Sequence, residues 1–158
     1  MENAFYRAVK VILKNEGERN VDLGGDTRFG IARRFHPNEP WPPTRERAIE
    51  IYYREYWLKY HCDLLPFPID IAVLDSVVNQ SAELIKDLQK IVNVEQDGTI
   101  GLQTALSIKK MNPWEVVALF FSRRALRIQE KSREEDKYGL LARLFRTQRL
   151  MLLEWINE

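Results

Sequence analysis

The sequence has few of the residues on which covalent and metal-based chemistry depends. Its 158 residues include one cysteine, Cys62, and two histidines. A single cysteine excludes an internal disulfide. His61 directly precedes Cys62, but one such pair without a second Cys or His cluster does not form a zinc site. We therefore expect neither a bound metal nor a cofactor.

Long apolar runs and an excess of one charge are also absent. No run approaches the ~20 apolar residues that a membrane-spanning helix needs, and residues 1–15 lack the basic start, apolar block and cleavage site of a signal peptide. The chain carries 24 Lys and Arg against 23 Asp and Glu. This balance gives no general reason to expect binding to nucleic acid or membrane insertion. If the protein acts outside the cytoplasm, another route must export it.

Basic residues are nevertheless enriched towards the C-terminus. They are interpreted either as the solvated faces of two helices or as a surface that approaches a polyanion. The residues concerned are Arg123, Arg124, Arg127, Arg143, Arg146 and Arg149.

What is present is typical of a globular, mainly α protein. Apolar residues make up 45% of the chain and charged residues 30%, which favours a folded domain over disorder. Apolar positions recur at helical spacing through most of the chain, and Gly139 is expected to interrupt the last helical stretch. The predicted helices cover 3–15, the residues after Thr44 to about 60, two segments within 64–94, a short stretch ending at 110, 113–134, and a last stretch to about 156.

Helix starts are marked by short polar side chains. Thr44 is a plausible N-cap, and Asn112 followed by Pro113 and Glu115 has the pattern of an N-cap with proline at the first helical position. Either Ser81 or Asn79 could cap the second helix of 64–94.

The helix after Thr44 carries an unusual apolar stripe. Five of its six members are aromatic, and tyrosine combines an apolar ring with a hydroxyl that needs a partner. The stripe therefore either packs only in the core or also borders a groove. Its members are Ile49, Tyr52, Tyr53, Tyr56, Trp57 and Tyr60.

The most irregular stretch lies at 15–31, directly after the first helix. It is predicted to be a loop over 17–27, with a short hairpin around Gly24-Gly25, followed by a short helix over 28–35. It holds the acids Glu16, Glu18, Asp22 and Asp26 and the glycines Gly17, Gly24, Gly25 and Gly30.

Glu16 is the acid whose position suggests chemistry. The C-terminal end of a helix and partial burial both disfavour an ionised carboxylate. A glutamic acid that keeps its proton can donate it, as cleavage of a glycosidic bond requires. Asp22 and Asp26 lie close by as possible second carboxylates. On spacing alone, a solvated glutamate is also possible.

Two other loop chemistries fit the stretch poorly. The acids at 16, 18, 22 and 26 lack the spacing and central glycine of an EF-hand calcium loop. Dinucleotide binding is disfavoured because no buried strand precedes the glycines.

The motifs of this stretch and of the following helices together resemble a known family, glycoside hydrolase family 108. This family comprises phage-endolysin-like N-acetylmuramidases, some described as secretion activators. The segment 48–79 resembles its Ala-x-x-Ile-Tyr and Asp-x-x-Val-Asn helices, and 84–108 resembles the peptidoglycan-binding-like segment that follows them. The residues that match the N-terminal signature are Glu16, Gly17, Asp22, Gly24, Gly25, Thr27, Gly30 and Ile31.

The resemblance implies a lysozyme-like helical fold with a Gly-rich loop or small hairpin after the first helix. It also implies hydrolysis of the β-1,4 bond between N-acetylmuramic acid and N-acetylglucosamine. The family's catalytic glutamate falls on Glu16, and by likeness to phage-type lysozymes Asp22 or Thr27 would position a water or stabilise an oxocarbenium-like state. Asp26 could compete for that role.

Substrate contacts are expected from the same cleft. Asp26, Tyr52 and Asn79 are the candidate substrate-binding residues. Asn79 could bind an N-acetyl group or merely cap a helix, and Tyr52 could stack on a sugar or pack in the core. The glycines at 17, 24, 25 and 30 would form the floor of the cleft.

The chain departs from the family pattern at a few positions. Glu18 and Arg19 replace a glycine and an aromatic residue beside Glu16, Gln80 follows Asn79 where the family has glycine, and Leu102 replaces a proline. These changes concern substrate subsites more than the reaction.

The sequence therefore predicts a lysozyme-like catalytic region at 1–80 and a helical peptidoglycan-binding-like region at 81–158 within one globule. The expected partner is the glycan strand of peptidoglycan, acted on by a monomer that is made in the bacterial cytoplasm and released through a holin or another route. The alternative is a non-catalytic wall-binding or secretion-accessory protein on the same fold.

Overall fold

The structure, a computed structural model, describes residues 2–16, 19–22 and 25–157, with Glu2, 19–22 and Asp26 described by their backbone only. Within these residues the fold is mainly α, as predicted. The helices are α1 Glu2–Glu16, α2 Arg45–Tyr52, α3 Ile69–Asn79, α4 Leu84–Ile91, α5 Leu102–Ile108, α6 Pro113–Lys131 and α7 Glu134–Ile156. A π-helical stretch, Tyr53–Leu58, extends α2, and two 3-10 turns lie at Arg33–Phe35 and Cys62–Leu64.

A small antiparallel sheet follows α1. Its strands are β1 Arg19–Asp22, β2 Gly25–Arg28 and β3 Ile31–Ala32, in the order β1-β2-β3. Asp22 pairs with Gly25 at the end of the first hairpin, so the hairpin predicted around Gly24-Gly25 is confirmed.

The short helix predicted over 28–35 is wrong. Arg28 pairs with Ile31 in a second hairpin, and only Arg33–Phe35 forms a 3-10 turn. The cause lies at the turn between these strands, where Phe29 and Gly30 have φ angles of 52° and 78°. A right-handed helix cannot include such residues.

Helix α3 lies at the centre of the molecule. All its residues from Ile69 to Val77 are buried, and it contacts α1, α4, α6 and α7. Its polar residues Asp70, Asp75 and Ser76 are therefore buried along with the apolar ones. Helices from both predicted regions, 1–80 and 81–158, pack on α3; the division into those regions stays a prediction.

Two of the predicted helix starts are confirmed. The Thr44 hydroxyl accepts a hydrogen bond from the Arg47 N–H at 3.2 Å, and Asn112 Oδ1 accepts from the N–H of Trp114. Ser81 and Asn79 do not cap α4. The Ser81 hydroxyl accepts from the N–H of Glu83, just before the helix.

Gly139 does not interrupt the last helical stretch, contrary to the prediction. It lies inside α7, and the break falls at 132–133, between Lys131 and Glu134. A glycine inside a helix costs only about 1 kcal/mol relative to alanine. The buried side chains of Leu144, Leu150 and Met151 hold the helix against the core and offset that cost.

The aromatic stripe does not pack in the core alone, one of the two alternatives considered for it. Tyr52 and Trp57 are buried in the core, whereas Tyr53 is 43% exposed. The stripe therefore packs in the core along one edge and reaches the surface along the other.

The C-terminal arginines do not form one solvated face. Arg124 is buried against Asp75, Arg127 pairs with Asp87, and Arg143 pairs with Glu16. These three bind acids of the same chain, so they are not available to an external polyanion.

A turn at Asp97-Gly98 is held by the side chain of Gln89. The buried Gln89 amide donates to Asp97 Oδ1 at 2.7 Å and accepts from the Gly98 N–H at 2.8 Å. Gly98 has a φ of 80°, which favours glycine. The turn is therefore explained by structure alone.

Among the helices of the described residues, none has the length and apolar character that a membrane span requires.

Asp70 gives a prediction about stability. Burial raises its pKa from 3.8 to about 6, although the Ile71 N–H and the Arg7 guanidinium oppose this. Because the folded state holds the proton more tightly than the unfolded chain, the stabilisation is complete below about pH 4 and is lost as the pH rises through 6. This difference in pKa corresponds to a contribution to the free energy of unfolding on the order of 3 kcal/mol.

We expect Asp70→Asn to remove this dependence, because the amide resembles the protonated acid. Urea unfolding of both proteins at pH 4, 5, 6 and 7 measures it, and their difference isolates Asp70 from Glu39 and Asp97, whose pKa values are lowered. The variant should gain stability relative to wild type as the pH rises. A difference that does not change with pH would contradict this.

Candidate active site

Glu16 is the last residue of α1, and its side chain is 12% exposed. The preceding residue fixes this end of the helix. Asn15 is buried, and its amide nitrogen donates to the Thr147 hydroxyl on α7 at 2.7 Å. The Thr147 hydroxyl donates in turn to the Arg143 carbonyl at 3.1 Å. The end of α1 is thus attached to one turn of α7.

Gly30 and Tyr52 lie directly against Glu16. A Cβ atom on Gly30 would stand 2.6 Å from Glu16 Cγ and would also overlap the Tyr52 hydroxyl. The Tyr52 hydroxyl donates to the Phe29 carbonyl at 2.9 Å. The structure therefore brings together three residues predicted for the site, Glu16, Gly30 and Tyr52.

Tyr52 remains a neutral donor in this environment. Burial, and then the nearby charge of Glu16, raise the pKa of its phenol well above the ordinary value. Its ring is fully buried, so Tyr52 does not offer a face on which a sugar could stack. Its position supports shaping of the site over the stacking role considered from the sequence.

A row of alternating charges runs inwards from Glu16. Arg143 Nη2 lies 2.5 Å from Glu16 Oε1 and 3.3 Å from Asp75 Oδ1. Arg124 Nη2 lies 2.7 Å from the other oxygen, Asp75 Oδ2. Two carboxylates and two guanidinium groups thus balance one another. Buried charges are tolerated when they are paired in this way.

Polar side chains at the end of α3 continue this row. Gln80 Oε1 accepts from Arg124 Nε at 2.5 Å, and the Asn79 amide nitrogen donates to Asp75 Oδ1 at 3.1 Å. Asn79 is thereby connected to Glu16 through Asp75 and Arg143. Its binding to an N-acetyl group stays a prediction.

The two arginines respond differently to burial. Burial by itself lowers the pKa of Arg143, but the carboxylates of Asp75 and Glu16 outweigh it and raise that pKa. Burial lowers the pKa of Arg124 despite the charge of Asp75. Both side chains stay charged, because a guanidinium group in a protein is effectively always protonated.

A cavity of about 250 Å³ opens beside this network. Gln80 and Ser81, the two residues after Asn79, line this cavity together with Arg127 and Lys131. The residues at which the chain departs from the family pattern, 80–81, therefore line a surface depression next to Asn79.

The other residues predicted for the site lie in the small sheet. Thr27 is 9% exposed, and its hydroxyl has no hydrogen-bond partner among the residues that the structure describes. A buried polar group in this state costs roughly 1–3 kcal/mol. The backbones of Asp22, Gly25 and Asp26 lie in β1 and β2.

Several predicted residues fall outside the description. The side chains of Asp22 and Asp26 are among these, as are Gly17, Gly24 and Glu18. The predicted grouping of Glu16, Asp22 and Thr27 therefore stays a prediction.

Sequence reasoning missed the roles of Asp75, Arg124 and Arg143. A signal existed for two of them. Asp75 interrupts an otherwise apolar run in α3, and Arg124 falls on the buried stripe of α6 between Phe120 and Ile128. Charged residues at buried positions imply partners, but spacing does not say which. In the part of the chain with described side chains, no three His, Cys, Asp or Glu residues cluster as a metal site would require.

Comparison with known proteins finds a family similarity over the part of the chain that contains Glu16. Residues 9–80 match the family model described as glycosyl hydrolase 108. This stretch includes Glu16, Gly30, Tyr52, Asp75 and Asn79. No curated protein sequence matches the chain.

The region that matches this family model is part of a fold shared along nearly the whole chain. A solved structure of Brucella abortus SagA is similar to it with a TM-score of 0.79 and 27% sequence identity, over 97% of this chain and 96% of that one. The fold is lysozyme-like, as predicted, and the protein is glycosyl-hydrolase-like. The match to SagA extends through α6 and α7, beyond the residues that the family model covers.

The contact between Gly30 and Glu16 gives a second prediction. In Gly30→Ala, the new methyl group would displace the Glu16 side chain, and the positive φ would strain the backbone by about 1–2 kcal/mol. We expect lower stability and loss of any activity that depends on Glu16. Thermal unfolding and a glycan-hydrolysis assay measure the two effects.

Gly139→Ala is the matched control for Gly30→Ala. Gly139 is helical, and a Cβ atom there would meet nothing within 4 Å. Gly139→Ala should therefore stabilise the protein by roughly 0.5–1 kcal/mol. If the two substitutions had the same effect, the close packing around Gly30 would not matter.

Proposed function

We propose that the protein is a muramidase that hydrolyses the β-1,4 bond between N-acetylmuramic acid and N-acetylglucosamine in peptidoglycan, with Glu16 as the general acid. The observation that carries this proposal is the position of Glu16. It ends α1 inside the family-matched region, mostly buried, and is enclosed by Gly30, Tyr52 and Arg143.

The reaction needs a second group opposite the proton donor, either a carboxylate or a residue that positions water. Asp75 is unsuited to this role because it is fully buried and bound by two arginines. The second group therefore comes from the small sheet, where Asp22, Asp26 and Thr27 are the candidates. The buried hydroxyl of Thr27, unpaired among the described residues, supports a contact with substrate or water there.

The proposal extends to how the protein is used. Its partner is the glycan strand of peptidoglycan, without nucleic acid or membrane insertion, and it acts as a monomer. It resembles a phage endolysin that is made in the bacterial cytoplasm and reaches the wall through a holin or another export route. Residues 81–158 would then contribute to wall binding as well as to the fold.

A specific observation favours a second candidate, a non-catalytic wall-binding or secretion-accessory protein. Glu16 Oε1 lies 2.5 Å from Arg143, a charge-assisted contact of the kind made by an ionised carboxylate. A general acid must carry a proton before the bond breaks. In this candidate the pair is purely structural.

Digestion of purified peptidoglycan separates the two candidates. After borohydride reduction, mass spectrometry identifies the sugar at each new reducing end. A muramidase yields reduced N-acetylmuramic acid, whereas a glucosaminidase would yield reduced N-acetylglucosamine. Co-sedimentation with the wall without new reducing ends would support the non-catalytic protein and contradict the proposed function.

A further inference from the structure

We propose that Arg143 on α7 is a positioning residue that orients the Glu16 carboxyl group, and that Asp75 and Arg124 hold Arg143 in place. This inference rests on the proposed function. It assigns a part in the reaction to helices that lie beyond the family-matched residues.

Arg143 holds one oxygen of the Glu16 carboxyl group. Its nitrogen Nη2 contacts Glu16 Oε1 at 2.5 Å and Asp75 Oδ1 at 3.3 Å. Because Cγ and Cδ of Glu16 also pack against Gly30, these contacts together restrict the direction of the other oxygen, Oε2. Such fixed orientation of a reacting group is a large part of the advantage of an enzyme over solution.

The support behind Arg143 is rigid because it is buried. Asp75 is fully buried on the central helix, and Arg124 is 2% exposed on α6. Arg124 is itself fixed by Gln80 Oε1 at 2.5 Å. The position of Arg143 is therefore set by α3 and α6 and not by solvent-exposed contacts.

One turn of α7 contacts the last two residues of α1. Thr147 binds Asn15, and Arg143 binds Glu16, at one helical turn's spacing on the same face. A shift of α7 would move the end of α1 and the acid together. The C-terminal helices thus complete the site, whatever they contribute to binding the wall.

Arg143 also decides which oxygen takes part in proton transfer. Since its N–H donates to Oε1, the proton to be transferred sits on Oε2. Oε2 gives that proton to the glycosidic oxygen as the bond from that oxygen to the sugar carbon breaks. A water molecule supplies the hydroxyl group to the carbon, and its remaining proton returns to the enzyme.

The test measures kcat and KM on a soluble peptidoglycan fragment for wild type, Arg143→Ala and Arg143→Lys. We expect Arg143→Ala to lower kcat by about 10- to 100-fold with little change in KM, since a small misplacement of a reacting group has effects of this size. Arg143→Lys should recover part of kcat, because it restores a positive charge without the planar fork.

The control is Arg45→Ala, an exposed arginine at the start of α2, which should keep wild-type kcat. Circular dichroism at the assay temperature confirms that each variant is folded. If Arg143→Ala does not fold, the comparison of Arg143→Lys with wild type decides, and a wild-type kcat there overturns the proposal.

The series also separates this inference from the function on which it rests. An inert wild type contradicts the proposed function and the inference with it. An active wild type beside a folded Arg143→Ala protein with unchanged kcat, or with a raised KM alone, overturns only the positioning role.

Discussion

Glu16→Gln is expected to lower the hydrolysis of peptidoglycan by about 10²- to 10⁴-fold, the usual contribution of a general acid. Glutamine keeps the shape of the side chain and an oxygen that can accept from Arg143, but its amide protons are not acidic enough to be transferred to the glycosidic oxygen. Asp75 still pairs with Arg143 in the variant, so the site should remain assembled. Release of reducing ends from purified peptidoglycan measures the effect.

A charge-matched control for Glu16→Gln is Glu130→Gln on α6. Glu130 is exposed, so this substitution removes one negative charge without touching the site. It should leave hydrolysis and the melting temperature close to wild type. Activity in Glu16→Gln equal to that of Glu130→Gln would show that Glu16 is not the proton donor.

The largest effect on stability is expected from Asp75→Leu. This change leaves the fully buried Arg124 guanidinium without its carboxylate and removes one of the two carboxylates at Arg143. Removing one partner of a buried ion pair typically costs about 3–5 kcal/mol, because the remaining charge is buried without compensation. Denaturant unfolding gives the free energy of unfolding directly.

The double variant Asp75→Leu with Arg124→Leu distinguishes an unpaired charge from simple loss of packing. Replacing a buried pair by apolar residues is often close to neutral, so the second substitution should recover much of the lost stability. A double-mutant cycle then gives the coupling between the two residues. If the two losses simply add, or if Asp75→Leu alone costs less than about 1 kcal/mol, the ion pair does not hold α3 to α6.

Local rules in the sequence were sufficient for much of this fold. The apolar periodicity predicted α1, and the polar side chains of Thr44 and Asn112 marked the starts of α2 and α6, because capping depends only on residues within one turn. The hairpin at Gly24-Gly25 followed from local turn chemistry in the same way. Local reasoning failed at 28–35. The pattern there predicted a helix, but the positive φ angles of Phe29 and Gly30 form a turn between two strands instead.

The candidate site could also be predicted from the sequence only in part. Glu16 could be selected from its place at a helix end and from the family resemblance. Gly30 could be selected from the family resemblance too, but not the reason for a glycine there, which is the approach of Tyr52 and Glu16 from elsewhere in the chain.

The sequence by itself determined where most of the helices lie and which acid ends the first of them, because both depend on neighbours within a few residues. Only the tertiary structure decided what surrounds that acid. Arg143 is 127 residues from Glu16 in the chain, and Arg124 is 49 residues from Asp75. Which buried charge meets which depends on how α3, α6 and α7 pack. No local spacing specifies that packing, since it results from burying the apolar faces of all these helices at once.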